Sequence, residues 1–190
     1  KPGINASAAY ARGGTGAGMM VGVFDTGLFG DHADIIANVA GCYKTLTGEH
    51  SLDTTHCEDG HGHGSHVSGT IAATRDNYAM HGVAFDAKVL NVNITNASGG
   101  LGPSASEYAN AMQWVVDNGA MVSNHSYGQP KRHDQLNEQN YDALLGVFGG
   151  AFEIAARNNH ILVWANGNEH FDEPGPEAAL PLYEPDLLPN

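Results

Sequence analysis

Asp59-Gly-His61-Gly-His63-Gly-Ser65-His66-Val-Ser68-Gly69-Thr-Ile-Ala-Ala73 is the stretch around which this chain is organised. Three histidines fall within six residues, spaced by glycine and serine, and an apolar run of small residues follows them. The run predicts a buried helix over residues 62–73. A histidine at the mouth of such a helix has a defined position, and the glycines beside it let a second backbone approach closely. Two chemistries fit the three histidines at this point, a metal cluster and a catalytic base.

Working outward, Met19-Met-Val-Gly-Val-Phe24 is a short apolar run bounded by Gly18 and Asp25, and it reads as a buried strand. It ends on Asp25-Thr-Gly27, which puts a carboxylate at the carboxyl end of that strand. Residues 28–58 read as polar loop with a weak strand over 36–42. Beyond the histidines, 87–94 reads as a strand and Ser98-Gly99-Gly100-Leu101-Gly-Pro as a turn-rich segment. Residues 104–118 form an amphipathic pattern that opens with a capping box, Ser104 and Glu107, and stops at Gly119. A strand over 122–125, a helix over 141–158 interrupted by glycines, and a strand over 161–165 follow. Residues 1–18 are Gly/Ala-rich and read as a surface segment with one short helix near 6–12, and 171–190 read as Pro- and Glu-rich loop.

Strands thus alternate with helices, which predicts an α/β fold: a mostly parallel sheet flanked by helices on both faces. Ligands of open α/β sheets sit outside the carboxyl ends of the strands. Asp25, the segments after Ile94 and after Val122, and Asn168 all fall at such ends, and the histidine stretch opens a helix near the same edge.

Bulk properties narrow the functional class. The chain has 190 residues, 42% of them hydrophobic, which suits one core and one domain. Its 21 acidic and 8 basic side chains give a net charge of -13, a balance that repels phosphate backbones and argues against nucleic-acid binding. No run of 18 apolar residues is present, so the sequence contains no helical membrane span. It begins Lys-Pro-Gly-Ile-Asn without a signal peptide, and both ends read as the inside of a longer precursor. Cys42 and Cys57 flank a polar loop and are either two free thiols or, in a secreted protein, one disulfide.

A carboxylate beside a histidine makes an orienting pair: it holds the proton of one ring nitrogen and leaves the other nitrogen as a base. Asp25 and one of His61, His63 and His66 fit this role. Asn168, after Gly167 at a strand end, fits either a donor to a developing oxyanion or an ordinary turn former.

Three blocks together resemble the signatures of subtilisin-like serine proteases, the subtilases: Val21-Gly-Val-Phe-Asp25-Thr-Gly27, His63-Gly-Ser-His-Val-Ser-Gly69-Thr, and Ala165-Asn-Gly-Asn168-Glu. The resemblance implies that Asp25 is the triad acid, His63 the base and Asn168 the oxyanion donor. It places His66 inside the helix as a structural residue and leaves His61 solvated. Ser65 and Ser68 are conservative departures from the family motif. Ser98, Gly99, Gly100 and Leu101 correspond to the edge that pairs with an extended peptide substrate. Ser126, Tyr127 and Gly128 correspond to the opposite wall, with residues 163–165 lining the primary pocket, where Tyr127 and Trp164 either narrow the pocket or point into packing.

The resemblance also implies a structural calcium ion. Its ligands would be the side chains of Asp34 and Asp76 and the carbonyls of Thr74, Tyr78 and Met80, a hard-oxygen set suited to Ca²⁺. No cofactor is needed for the chemistry. Residues 4–26 are similar to bacterial secreted and autotransporter-type subtilases, which implies a secreted or cell-surface bacterial protein acting on proteins or peptides. The family's fourth block, Gly-Thr-Ser with the nucleophile, does not occur in this sequence. The expectation is therefore that residues 1–190 are the N-terminal part of one catalytic domain, and that a C-terminal remainder supplies the serine and covers an apolar face. The rival readings are a metal-binding module built on His61, His63 and His66, and an inactive subtilase-like pseudoenzyme.

Overall fold

The computed structural model describes residues 3–128 and 137–168, apart from the side chain of Glu138. The expected loop at 171–190 lies outside the described residues. A short exposed helix, α1 (Ala6–Tyr10), precedes the central strand β1 (Met20–Asp25). A single 3₁₀ turn at Ile36–Asn38 leads into β2 (Val39–Lys44) and the two-residue β3 (His50–Ser51). Then come α2 (His63–Ala72), β4 (Lys88–Asn93), α3 (Ala105–Asp117), β5 (Val122–His125), α4 (Glu138–Arg157) and β6 (Ile161–Trp164).

The strands form one sheet in the order β3-β2-β4-β1-β5-β6, parallel except for the β2/β3 pair. The α/β expectation is met, with β3 as the element the sequence did not announce. A two-residue strand has no periodicity to read, and it forms because the chain turns back on β2. The weak strand expected over 36–42 lies three residues later. Its first residues form the 3₁₀ turn, where buried Asn38 donates to the carbonyls of Ala72 and Phe85.

The two faces of the sheet are covered differently. On one face α3 and α4 bury Phe24, Leu90, Tyr108, Met112, Phe148 and Phe152 in the main core. Each such side chain contributes about 1.5–3 kcal/mol by leaving water. The capping box of α3 is formed: the Ser104 hydroxyl accepts from the Glu107 amide, and the Glu107 carboxylate accepts from the Ser104 amide. On the other face α2 packs on Val23 and Val89 through Ala72, Val67 and Ile71.

Register places Val21, Val122 and Ile161 side by side on that second face, with Asn124 and Val163 the next pair along β5 and β6. Ile161 and Val163 are 62% and 49% exposed there, and neighbouring Met121 is 61% exposed. Exposed Ile161 and Val163 thus lie on the α2 side of β5 and β6.

The connections explain where a ligand goes. α2 precedes β4 on one face of the sheet, and α3 crosses from β4 to β5 over the other. In open α/β sheets the ligand sits outside the carboxyl ends of the strands. Asp25 closes β1 at such an end.

Candidate active site

The first turn of α2 is held by residues outside it. Its cap position, Gly62, has φ 95 and contributes no side chain. The amides left without helical partners are met instead by two side chains. The Thr26 hydroxyl accepts from the Gly64 amide at 2.9 Å, and Asp59 Oδ2 accepts from the Ser65 amide at 3.0 Å. Asp59 also accepts from the amides of His61 and Gly62 and from the hydroxyls of Thr26 and Ser65. Burial raises the Asp59 pKa, but the hydrogen bonds from Ser65, Gly62 and His61 outweigh it and hold the group down at about 2.

Thr26 follows Asp25 directly, so Asp59 and Thr26 together tie the end of β1 to the start of α2. Sequence reasoning did not assign Asp59 a role. The available signal was an acidic residue just ahead of a helix start.

Backbone contact completes the junction. A Cβ at Gly64 would lie 2.2 Å from the Gly27 carbonyl oxygen, and one at Gly27 would lie 1.9 Å from the Glu58 carbonyl oxygen. Gly27 also has φ 115. The glycine after His63 is therefore what lets the helix mouth sit on the strand end.

As a result His63 Nδ1 lies 2.7 Å from Asp25 Oδ1, which also accepts from the Thr26 amide at 2.7 Å. Asp25 is 3% exposed, whereas the His63 side chain is 45% exposed. No described residue bonds His63 Nε2. This arrangement can hold the imidazole in one tautomer, stabilise its protonated form and present Nε2 as a base.

A cleft of about 170 Å³ adjoins the pair, lined by His61, Ile94, Thr95, Gly99, Leu101, Ser126 and Tyr127 as well as Asp25, Thr26 and His63. The two segments expected to bind peptide therefore do meet at the base. Residues 98–101, however, are a turn and not an extended strand. The Asn96 amide donates to the Gly100 carbonyl, the Asn96 side chain accepts from the Ser98 and Gly100 amides, and Leu101 bridges back to Thr95. Gly128 follows the wall formed by Ser126 and Tyr127 and is exposed. Asn168 is exposed at the bend after β6, beyond Gly167 with φ 94.

Trp164 turns away from the cleft. It stacks on His125 at 4.2 Å and packs against Phe148 and Phe152. His66 lies inside α2 as expected, but it does not pack as a structural residue: Gly64 and Ser68 occupy the buried side of the helix and His66 faces solvent. Solvated His61 agrees with expectation. The three histidines do not assemble a metal site, and no group of three or more His, Cys, Asp or Glu among the described residues does so.

Asp34 is buried, and its Oδ1 has no hydrogen-bond partner. Its carbonyl accepts from the amide and hydroxyl of Thr74, which joins it to the 74–80 loop. In that loop Asp76 shares the single Thr74 hydroxyl hydrogen with that carbonyl and accepts from the Tyr78 amide, and Tyr78 and Met80 are exposed. Cys42 and Cys57 are disulfide-bonded, with Cα atoms 5.2 Å apart.

The subtilase family model matches residues 16–190, nearly the whole chain. The chain belongs to the subtilase family. The subtilase is 40% identical over 165 residues to subtilisin Savinase of Lederbergia lenta, covering 87% of this chain and 53% of that protein. It is also 40% identical over 165 residues to the alkaline protease of Alkalihalobacillus alcalophilus, covering 87% of this chain and 38% of that protein. Among solved structures it matches fervidolysin of Fervidobacterium pennivorans, a keratinolytic enzyme related to subtilisin, with a TM-score of 0.64 and 30% identity. That match covers 81% of this chain and 22% of fervidolysin. The subtilase chain thus spans about half or less of the length of the relatives it matches.

Proposed function

We propose that these residues are the acid-and-base part of a subtilisin-type serine endopeptidase that cleaves proteins or peptides. The observation that carries the reading is the 2.7 Å contact between buried Asp25 and exposed His63 beside a cleft of about 170 Å³. With Nδ1 given to Asp25, His63 Nε2 removes the proton from a serine hydroxyl as that oxygen attacks the scissile carbonyl. Asp25 stabilises the imidazolium, which then gives its proton to the departing amine. Water, deprotonated by the same nitrogen, releases the acyl group. Asn168 is assigned as a donor to the oxyanion formed in both steps.

The serine comes from a segment beyond residue 190, because the family's Gly-Thr-Ser block is absent from this sequence. The exposed apolar surface of Ile161 and Val163, on the α2 side of the sheet, is where that segment packs. A location outside the cytoplasm, secreted or on the cell surface, is supported by the Cys42–Cys57 disulfide.

A calcium ion at Asp34 belongs to the same proposal. An unpartnered carboxylate oxygen in a buried position is costly unless a cation meets it. Thr74, Asp76, Tyr78 and Met80 would complete its oxygen ligands, and the ion would brace the loop that follows α2.

The test is to treat the full-length protein with a fluorophosphonate and map the adduct. The proposal predicts one labelled serine outside residues 1–190. Labelling that is absent, or on a serine within 1–190, would refute it.

A further inference from the structure

Behind the cleft lies a buried polar chain that the proposed mechanism does not use. His125, at the end of β5, is 1% exposed and sits between Phe24 at 4.8 Å and Trp164 at 4.2 Å. Its Nδ1 lies 2.9 Å from the Tyr108 hydroxyl and 3.0 Å from that of Tyr127, and the two hydroxyls also bond each other. Its Nε2 lies 2.8 Å from the Ser123 hydroxyl, which is 3.0 Å from His160 Nε2. His160 Nδ1 lies 2.9 Å from the Ala120 carbonyl.

That last carbonyl fixes the direction of the hydrogen bonds from His160 as far as His125 Nδ1. A carbonyl only accepts, so His160 Nδ1 donates to it. His160 Nε2, in a neutral ring, then accepts from Ser123. The Ser123 oxygen accepts from His125 Nε2–H, which leaves His125 Nδ1 as the acceptor of a tyrosine O–H. Burial holds both imidazoles neutral, since it lowers the pKa of each.

Tyr127 is two residues beyond β5 and lines the cleft beside His63. Its hydroxyl is drawn inward to His125 and Tyr108. We propose that His125 is a positioning residue for substrate binding: as a neutral acceptor it latches Tyr127 into the cleft wall and so sets the shape of the groove next to the base. The proposal rests on the reading of the cleft as the substrate groove. It also explains why a histidine is tolerated in an otherwise aromatic core: an apolar side chain there would take away the acceptor at the end of the pair of phenols, one of which, Tyr108, is fully buried.

The test is a double-mutant cycle in the full-length protein, read as kcat and KM for an extended peptide. His125→Leu removes the acceptor at similar volume, Tyr127→Phe removes the latched hydroxyl, and His125→Asn keeps an acceptor at the Nδ1 position. Each of the first two is expected to raise KM about five- to tenfold with kcat within about twofold. The pair combined should raise KM no further than either alone, because both remove one interaction. His125→Asn should restore a KM near the native value.

Additive effects in the cycle, or an Asn variant as impaired as the Leu variant, would overturn the latch while leaving the protease reading intact. Should His125→Leu fail to fold, the contrast between His125→Asn and Tyr127→Phe decides alone, and equal KM values for the two would overturn it. A native protein that hydrolyses no peptide defeats the protease reading itself, and the proposal falls with it.

Discussion

Acidification of the folded protein should expose the cost of keeping His125 uncharged. Burial first, and the neighbouring His160 second, depress the His125 pKa from 6.5 to about 3. A depressed histidine pKa means that the unfolded chain binds the extra proton more readily. Stability from this group is therefore complete above pH 6.5 and is lost as pH falls from there toward 3. The whole shift corresponds to about 5 kcal/mol at 1.36 kcal/mol per unit, of which about 2 kcal/mol is already lost by pH 5.

His160 pulls in the same direction. Asp59, whose pKa is also depressed, acts only below the ordinary carboxylate range and does not intrude on this window. Urea unfolding of the full-length protein at about pH 7.5 and pH 5, for native and His125→Asn, isolates the term. The native protein should lose about 2 kcal/mol more than the variant across that interval. Equal losses would refute the claim that His125 is buried, neutral and untitrated in the native state.

Other outcomes follow from the same contacts. Gly64→Ala puts a methyl 2.2 Å from the Gly27 carbonyl oxygen. It should cost about 1–3 kcal/mol in unfolding free energy, and lower kcat about 10²-fold by displacing His63 from Asp25. Asp59→Asn should destabilise by about 1–3 kcal/mol at pH 6, and the difference from native should shrink as pH falls through about 2, where native Asp59 is itself protonated. Reducing the Cys42–Cys57 bond, which closes a loop with a sequence separation of 15, should cost about 3 kcal/mol in chemical unfolding. EDTA should lower the melting temperature of the native protein, and Asp34→Asn should lower it too while removing the EDTA effect; a native Tm unmoved by EDTA would rule out the calcium ion.

The elements with strong periodicity or a clear stop were legible in the chain. The strand ending on Asp25, the α3 capping box and the strand 122–125 stand where the sequence put them. So does the pairing of Asp25 with a histidine, since a strand end and a helix mouth at one sheet edge leave few other arrangements. Boundaries set by tertiary contact were less legible. α4 begins three residues earlier than its apolar pattern, because Asn137 caps it by accepting from the Asn140 amide. The buried side of α2 is chosen by the small residues that fit against the sheet, which pushes His66 outward. Most hidden was the network at His125. Ser123, His125 and Tyr127 alternate along one stretch, but Tyr108 and His160 come from other elements, and a histidine in a strand carries no mark of the partners those elements will bring to it.

The most direct measurement of the central claim is kcat/KM for a peptide substrate in the full-length protein and its His63→Ala variant. A fall of about 10⁶-fold, borne by kcat with KM little changed, is expected, the order of magnitude known for loss of the corresponding histidine in subtilisin, a relative of this chain. A variant that keeps activity within about tenfold of native would contradict the claim, because among the described residues no other imidazole is held by Asp25 as His63 is.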